Sequence, residues 1–172
     1  MVSAARAADP ARARAVAAGV TDPELPMLTL ADLGVLRGVR AAADGTVVVT
    51  ITPTYSGCPA LEAMRADLLT ALRAAGFPRA RVRTVLSPPW SSDWITPAGR
   101  RKLAEHGISP PGPARPAGGP VPLALLPTRT AARCPRCGSA DTEELSRFGA
   151  TACRALLRCR SCREPFEHVK EI

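Results

Sequence analysis

Aromatic side chains are scarce in this chain: two Trp, one Tyr and three Phe among 172 residues. Any core must be assembled from Leu, Val, Ile, Met and Ala, and there are few rings on which nucleic-acid bases could stack. Long apolar runs are missing too. No stretch approaches the roughly eighteen apolar residues that suggest a membrane span, and no charged segment leads into an apolar one at the start. Neither a membrane partner nor export is therefore expected, and reduced thiols in the cytoplasm are the default. Histidine occurs only at positions 106 and 168, and no Ser, His and Asp pattern suggests a hydrolytic triad around Ser56.

A cationic stripe is also missing. The net charge is +8, but residues 1–21, 22–108, 109–130 and 131–172 carry +2 each. A nucleic-acid groove leaves a clustered footprint, and none is visible in the linear order; only folding could assemble one. Nucleic acid is accordingly not expected as a partner. Nearly all the cations are Arg, beside abundant Ala, a composition that coding bias explains as readily as phosphate recognition.

Local signals divide the chain into four parts. Residues 4–18 favour a helix that ends at Gly19, giving a terminal segment 1–19. Within 20–108, Val35 to Ala41 and Thr46 to Thr52 flank Asp44-Gly45 and predict a β-hairpin. Leu61, Met64, Leu68, Leu72 and Ala75 step by three and four, predicting a helix over 59–75, with Gly76 at its end. Val82 to Leu86 reads as a third strand. Pro97 suits the first turn of a short helix running to His106. Residues 109–130 form a Pro- and Gly-rich tether, in which Val121 to Leu126 could add an edge strand. Residues 131–172 are too short to bury much surface, which is where a structural metal replaces a missing core. The fold class is α+β.

Four of the six cysteines supply that metal site. Cys134-Pro-Arg-Cys137 and Cys159-Arg-Ser-Cys162 are two tight pairs with 21 residues between them. A two-residue gap lets both thiolates of a pair face one ion, and two such turns close a tetrahedron. One structural zinc held by the four cysteines is the expectation. Gly138 follows the first pair, where a positive φ turns backbone N–H groups toward sulfur. Arg163 stands at the equivalent place after the second pair, making it the less standard turn.

Cys58 is separate from that quartet. It joins the second strand to the long helix, and Pro59 behind it suits a first helical position, which makes Cys58 an N-cap candidate. The helix dipole would then favour its thiolate, raising metal affinity and nucleophilicity. A small buried hydrophobe is the competing reading, and the residues do not choose between them.

Further residues carry a family resemblance. Val20-Thr-Asp22-Pro23-Glu24-Leu-Pro, Leu30-Ala-Asp32-Leu33-Gly34-Val35 and Thr50-Ile-Thr-Pro53-Thr54-Tyr-Ser-Gly57-Cys58-Pro59 resemble the small metal–sulfur cluster assembly domains that include SufT-type proteins. Ser87-Pro-Pro-Trp90-Ser-Ser-Asp93-Trp94-Ile95, Gly107-Ile-Ser-Pro-Pro111 and the run Phe148 to Phe166 with Cys153 and Cys159 resemble the PaaD-type proteins encoded with the multicomponent phenylacetyl-CoA epoxidase. The resemblance implies a cluster-assembly-type α/β domain followed by a four-cysteine zinc-ribbon β-hairpin module. It implies that Asp22, Glu24, Thr54 and Cys58 lie near one another, with Cys58 the transient contact for iron or an iron–sulfur cluster. It further implies an accessory protein of aerobic phenylacetate breakdown, without catalysis of its own. Its partners would be the oxygenase and reductase subunits or the iron–sulfur assembly machinery. A homodimer is left open.

Smaller signals have two readings each. Cys153 is either an extra ribbon or handoff thiol or a residue packed in a strand. Trp90, Asp93 and Trp94 mark either a partner-binding surface or core packing. His168 is expected to face solvent rather than metal. Asp22 and Glu24 are equally ordinary as free surface carboxylates. Two other functions compete with the accessory role: a nucleic-acid-binding zinc ribbon, opposed by the even charge, and a rubredoxin-like electron carrier, suggested by Cys-Pro-x-Cys-Gly but lacking the second glycine.

Overall fold

The computed structural model describes residues 9–114 and 132–172. It forms two compact units that divide between Trp90 and Ser91. The proposed edge strand at 121–126 and the first residues of the terminal helix lie outside the described residues.

In the first unit α1 spans Pro10–Ala18, with the Asp9 carboxylate accepting from the Ala11 and Arg12 N–H groups at 3.0 and 3.2 Å. Strand β1 (Leu36–Ala41) and β2 (Val47–Ile51) pair antiparallel across the Asp44-Gly45 turn. There Gly45 has φ of +77° and the Asp44 carboxylate accepts from Thr46 N–H. Helix α2 (Leu61–Ala74) then crosses to β3 (Ala80–Thr84), which pairs parallel with β2 and makes the order β1-β2-β3. A parallel neighbour cannot be reached by a tight turn, so the intervening helix is obligatory. Helix α1 packs on β1, β2 and α2, and α2 packs on β3, so both helices cover one face of the sheet. Val47, Val49, Ile51 and Val82 of the sheet and Met64, Leu68 and Leu72 of α2 are all buried. Trp90 is 4% exposed and donates its indole N–H to Leu33 O at 2.9 Å. The core reading therefore holds for Trp90; so deeply buried a ring is not available to a partner.

The expected start of the long helix needs correction. Ala60 is its N-cap, with no side-chain capping bond, and Leu61 its first residue. Cys58 N–H donates to Tyr55 O and Cys58 O accepts from Leu61 N–H, each at 3.2 Å, so Pro59 and Ala60 are spent on a turn that precedes the helix. Cys58 is thus not the cap, and the dipole argument for its thiolate weakens with distance from the first turn.

The second unit has α3 (Pro97–Glu105), capped by Thr96, and strands β4 (Ile108–Ser109), β5 (Thr142–Ser146), β6 (Arg154–Cys159) and β7 (Pro165–Val169). Their order is β4-β7-β6-β5, with β4 parallel to β7 and the rest antiparallel. Helix α3, read from the sequence as the end of the first domain, is part of this unit, as is β4, which straddles the expected boundary between domain and tether. Ser92 N–H donates to Ile172 O, and Arg100 donates to Ser92 O and Pro111 O, tying the segment to the chain end. His168 is the clearest departure from expectation. It is 1% exposed, with Nδ1 3.2 Å from Ser109 O and Nε2 3.2 Å from a Glu171 oxygen. The two-residue strand β4 closes over β7, and so short a strand leaves no periodicity to read.

Candidate metal centre

Two backbone turns of the same design build the centre. In the first, Gly138 N–H donates to Cys134 O and Cys134 N–H to Ser139 O, both at 2.9 Å. In the second, Arg163 N–H donates to Cys159 O at 3.0 Å and Cys159 N–H to Glu164 O at 2.9 Å. Gly138 has φ of +75° and Arg163 φ of +67°, so the arginine takes the left-handed conformation that the glycine takes. The second turn is therefore regular in shape although not in residue type. Strand β6 ends on Cys159, and the turn into β7 carries Cys162. Ser139 and Ser161 hydroxyls meet at 2.8 Å between the two turns.

The four Sγ atoms lie within 4.8 Å of one another. Cys134 and Cys162 are 3.7 Å apart, Cys137 and Cys159 3.6 Å. A tetrahedron with zinc–sulfur bonds of about 2.3 Å has edges of about 3.8 Å, so the set fits one such ion. Cys134 and Cys159 are buried, while Cys137 and Cys162 are exposed. The Cys162 backbone N–H favours the Cys159 thiolate and brings its pKa down to about 6. Cys137 is pushed up to about 12: the backbone N–H at Ser139 favours its thiolate, but the Cys159 thiol and desolvation outweigh it. Thiols so close cannot all ionise on their own, and a dication in their midst removes the conflict. Around them, Ala132, Ala155, Leu157 and Phe166 complete a small apolar cluster. Arg136 pairs with Glu164 at 2.9 Å, joining the two turns at the surface.

The other candidate residues fall elsewhere. Cys153 precedes β6, its Sγ 3.1 Å from Thr151 Oγ1, and it is not among the gathered thiols. Six residues of extended strand hold it about 20 Å from Cys159, so it is not an alternative ligand. Asp22 is 6% exposed and accepts from Glu24 and Leu25 N–H groups at 2.8 and 2.9 Å. It is a turn-stabilising group rather than a free surface carboxylate, whereas Glu24 is exposed. Thr54 and Cys58 are half-buried on the loop before α2. Among the described residues, Asp22, Glu24 and Cys58 do not form a three-ligand group. Asp93 is exposed and accepts from Ala114 N–H at 2.9 Å, and Trp94 is half-buried.

Sequence reasoning missed the polar network of the second unit. It joins His168 to Ser109 O and Glu171; separately, the buried Arg154 has its guanidinium 2.6 Å from Glu167. Alternation along β6 and β7 was the available signal, but a buried arginine breaks it.

Comparison with known proteins places both halves. Residues 10–86 match the iron–sulfur cluster assembly protein family, and residues 119–170 match the PaaD zinc beta ribbon domain. A protein of Escherichia coli described as the D component of 1,2-phenylacetyl-CoA epoxidase is 46% identical over 151 residues, 88% of this chain and 86% of that protein. An Fe-S protein maturation auxiliary factor of Porphyromonas gingivalis is 32% identical over 78 residues, 45% of this chain and 73% of that protein. The crystal structure of a domain of unknown function, DUF59, from Bacillus anthracis has a TM-score of 0.50 and 27% identity, over 55% of this chain and 90% of its own.

Proposed function

This chain belongs to the PaaD family of phenylacetyl-CoA epoxidase components, and we propose that it is an accessory protein that assists iron or iron–sulfur maturation of that multicomponent enzyme in aerobic phenylacetate degradation. The observation that carries this reading is a division of labour among the cysteines. Four of them close on one another in the second unit. A fifth, Cys58, stands half-buried on a turn in the unit that matches the iron–sulfur assembly family. Clusters are ordinarily held by four cysteines, so one thiol binds iron or a cluster weakly, with a partner supplying the remaining ligands. Weak holding followed by release is what delivery of a metal cargo requires. Glu24 would add an exposed carboxylate to that site; Asp22 and Thr54 would shape the turns beside it.

We assign the resident ion of the ribbon as zinc, held by Cys134, Cys137, Cys159 and Cys162. A closed set of four thiolates leaves no open position, so such an ion supplies folding energy rather than reactivity. Metal analysis of protein purified without added metal should find one zinc per chain; visible iron–thiolate absorption would instead favour the electron-carrier reading.

The accessory role is tested by Cys58→Ser in cells that also express the epoxidase subunits. The variant should keep the wild-type circular dichroism and zinc content while the oxygenase loses iron occupancy several-fold. An oxygenase with undiminished iron beside the variant would remove Cys58 from the mechanism.

A further inference from the structure

We propose that the open face of the first unit's sheet is a docking surface for a carboxylate-rich protein surface, read by Arg40, Arg81 and Arg83. The register defines this face. Arg40 lies opposite Val48, and Val48 opposite Arg81; in the next row Gly38 lies opposite Thr50, and Thr50 opposite Arg83. Residues directly opposed across a sheet share a face. The alternating set, Val47, Val49, Ile51 and Val82, is buried beneath the helices, so the arginines are on the other side.

All three arginines are exposed. Val48 between Arg40 and Arg81 is only 6% exposed, as expected where aliphatic stems lie along an apolar residue and leave the guanidinium heads in water. Among the described residues none of the three is in an ion pair. The nearby carboxylate is Asp44 of the hairpin turn. Its pKa is lowered chiefly by hydrogen bonding to Thr46, and then by Arg79 and Arg81. A face built this way holds concentrated positive charge, offset in part by the attraction between Asp44 and Arg81.

These residues are dispersed along the chain, and only the order β1-β2-β3 collects them. Strand spacing puts Arg40 and Arg81 about 10 Å apart, and Arg81 and Arg83 about 7 Å apart. Carboxylates on successive turns of one helix face have nearly those separations. Guanidinium favours such partners because its planar fork accepts a carboxylate through two hydrogen bonds. A nucleic acid fits less well, since neither row of the face carries an aromatic side chain for base stacking. The inference rests on the reading that this chain acts on the epoxidase, whose subunits would carry the acidic surface.

The experiment measures binding of the full-length chain to the purified oxygenase component. Wild-type affinity should fall as salt rises through about 0.15 M. The variant R40S/R81S/R83S should bind at least about tenfold more weakly. Arg81→Glu alone should weaken binding more than Arg81→Ser, with circular dichroism and zinc content unchanged in each. Equal affinity of wild type and triple variant would overturn the docking face and leave the accessory role standing. Failure of the wild type to bind at all would overturn both. Retention on RNA or DNA at physiological salt, lost in the triple variant, would replace the protein partner with nucleic acid.

Discussion

The first unit is held by hydrocarbon and the second by sulfur. In the first, two helices carry buried Met64, Leu68, Leu72, Ala13 and Ala17 beside a three-stranded sheet, and Leu28, Leu30 and Val35 are buried as well. The second has a nine-residue helix and strands of two to six residues, and its ribbon cluster contains two of its own metal ligands, Cys134 and Cys159. A chain poor in aromatics can thus reach order in two ways. Where a helix and sheet supply enough aliphatic area, packing suffices. Where they do not, a bound ion adds free energy that apolar burial cannot.

Removing the ion should separate the two units most sharply. Structural zinc contributes about 10–16 kcal/mol in small zinc-finger peptides, so Cys159→Ser or a strong chelator should unfold the ribbon. The first unit should keep its dispersed amide resonances. Loss of both sets together would show that the first unit also depends on the metal. The converse is Leu68→Ala, which should cost the first unit about 2–5 kcal/mol and leave zinc content unchanged, as read by denaturant unfolding alongside metal analysis.

His168→Ala should cost about 1–3 kcal/mol, because it strips a buried polar network of its central partner. The loss should appear in thermal unfolding of the second unit alone. The same network predicts acid sensitivity. Hydrogen bonding from His168, aided by Gly112 N–H, depresses the Glu171 pKa from 4.5 to about 2. A carboxyl depressed on folding stabilises the native state above its unfolded pKa and loses that contribution as pH falls from 4.5 toward 2. Because Glu171 is partly exposed, the effect should be small, and Glu171→Gln should abolish it. Smallest of all is Arg163→Gly, which relieves a left-handed arginine and should raise the ribbon's stability by about 0.5–1 kcal/mol. A lower melting temperature in that variant would show that Arg163 makes a compensating contact.

Much of the first unit was legible because its signals are local and repeated. The hairpin turn at Asp44-Gly45 and the stripe Met64, Leu68, Leu72 need no distant information. The four metal-binding cysteines were legible for a different reason: their spacing encodes the geometry of the turn. Cys58 was misplaced as a helix cap because a turn at Pro59 and Ala60 resembles a helix start in one dimension. Trp90 was ambiguous and His168 was wrongly expected at the surface, because an isolated residue carries no period.

The sequence alone determined about where the strands and helices of the first unit lie, which four sulfurs converge, and the family to which the chain belongs. Each depends on residues a few positions apart or on a motif whose spacing is its own constraint. Tertiary structure decided the rest: that α3 and β4 complete the ribbon's unit, that Asp22 stabilises a turn, that His168 is buried, and that evenly scattered arginines gather on one sheet face. Those outcomes depend on which strand lies beside which, and strand order is set by packing between segments that the linear sequence keeps far apart.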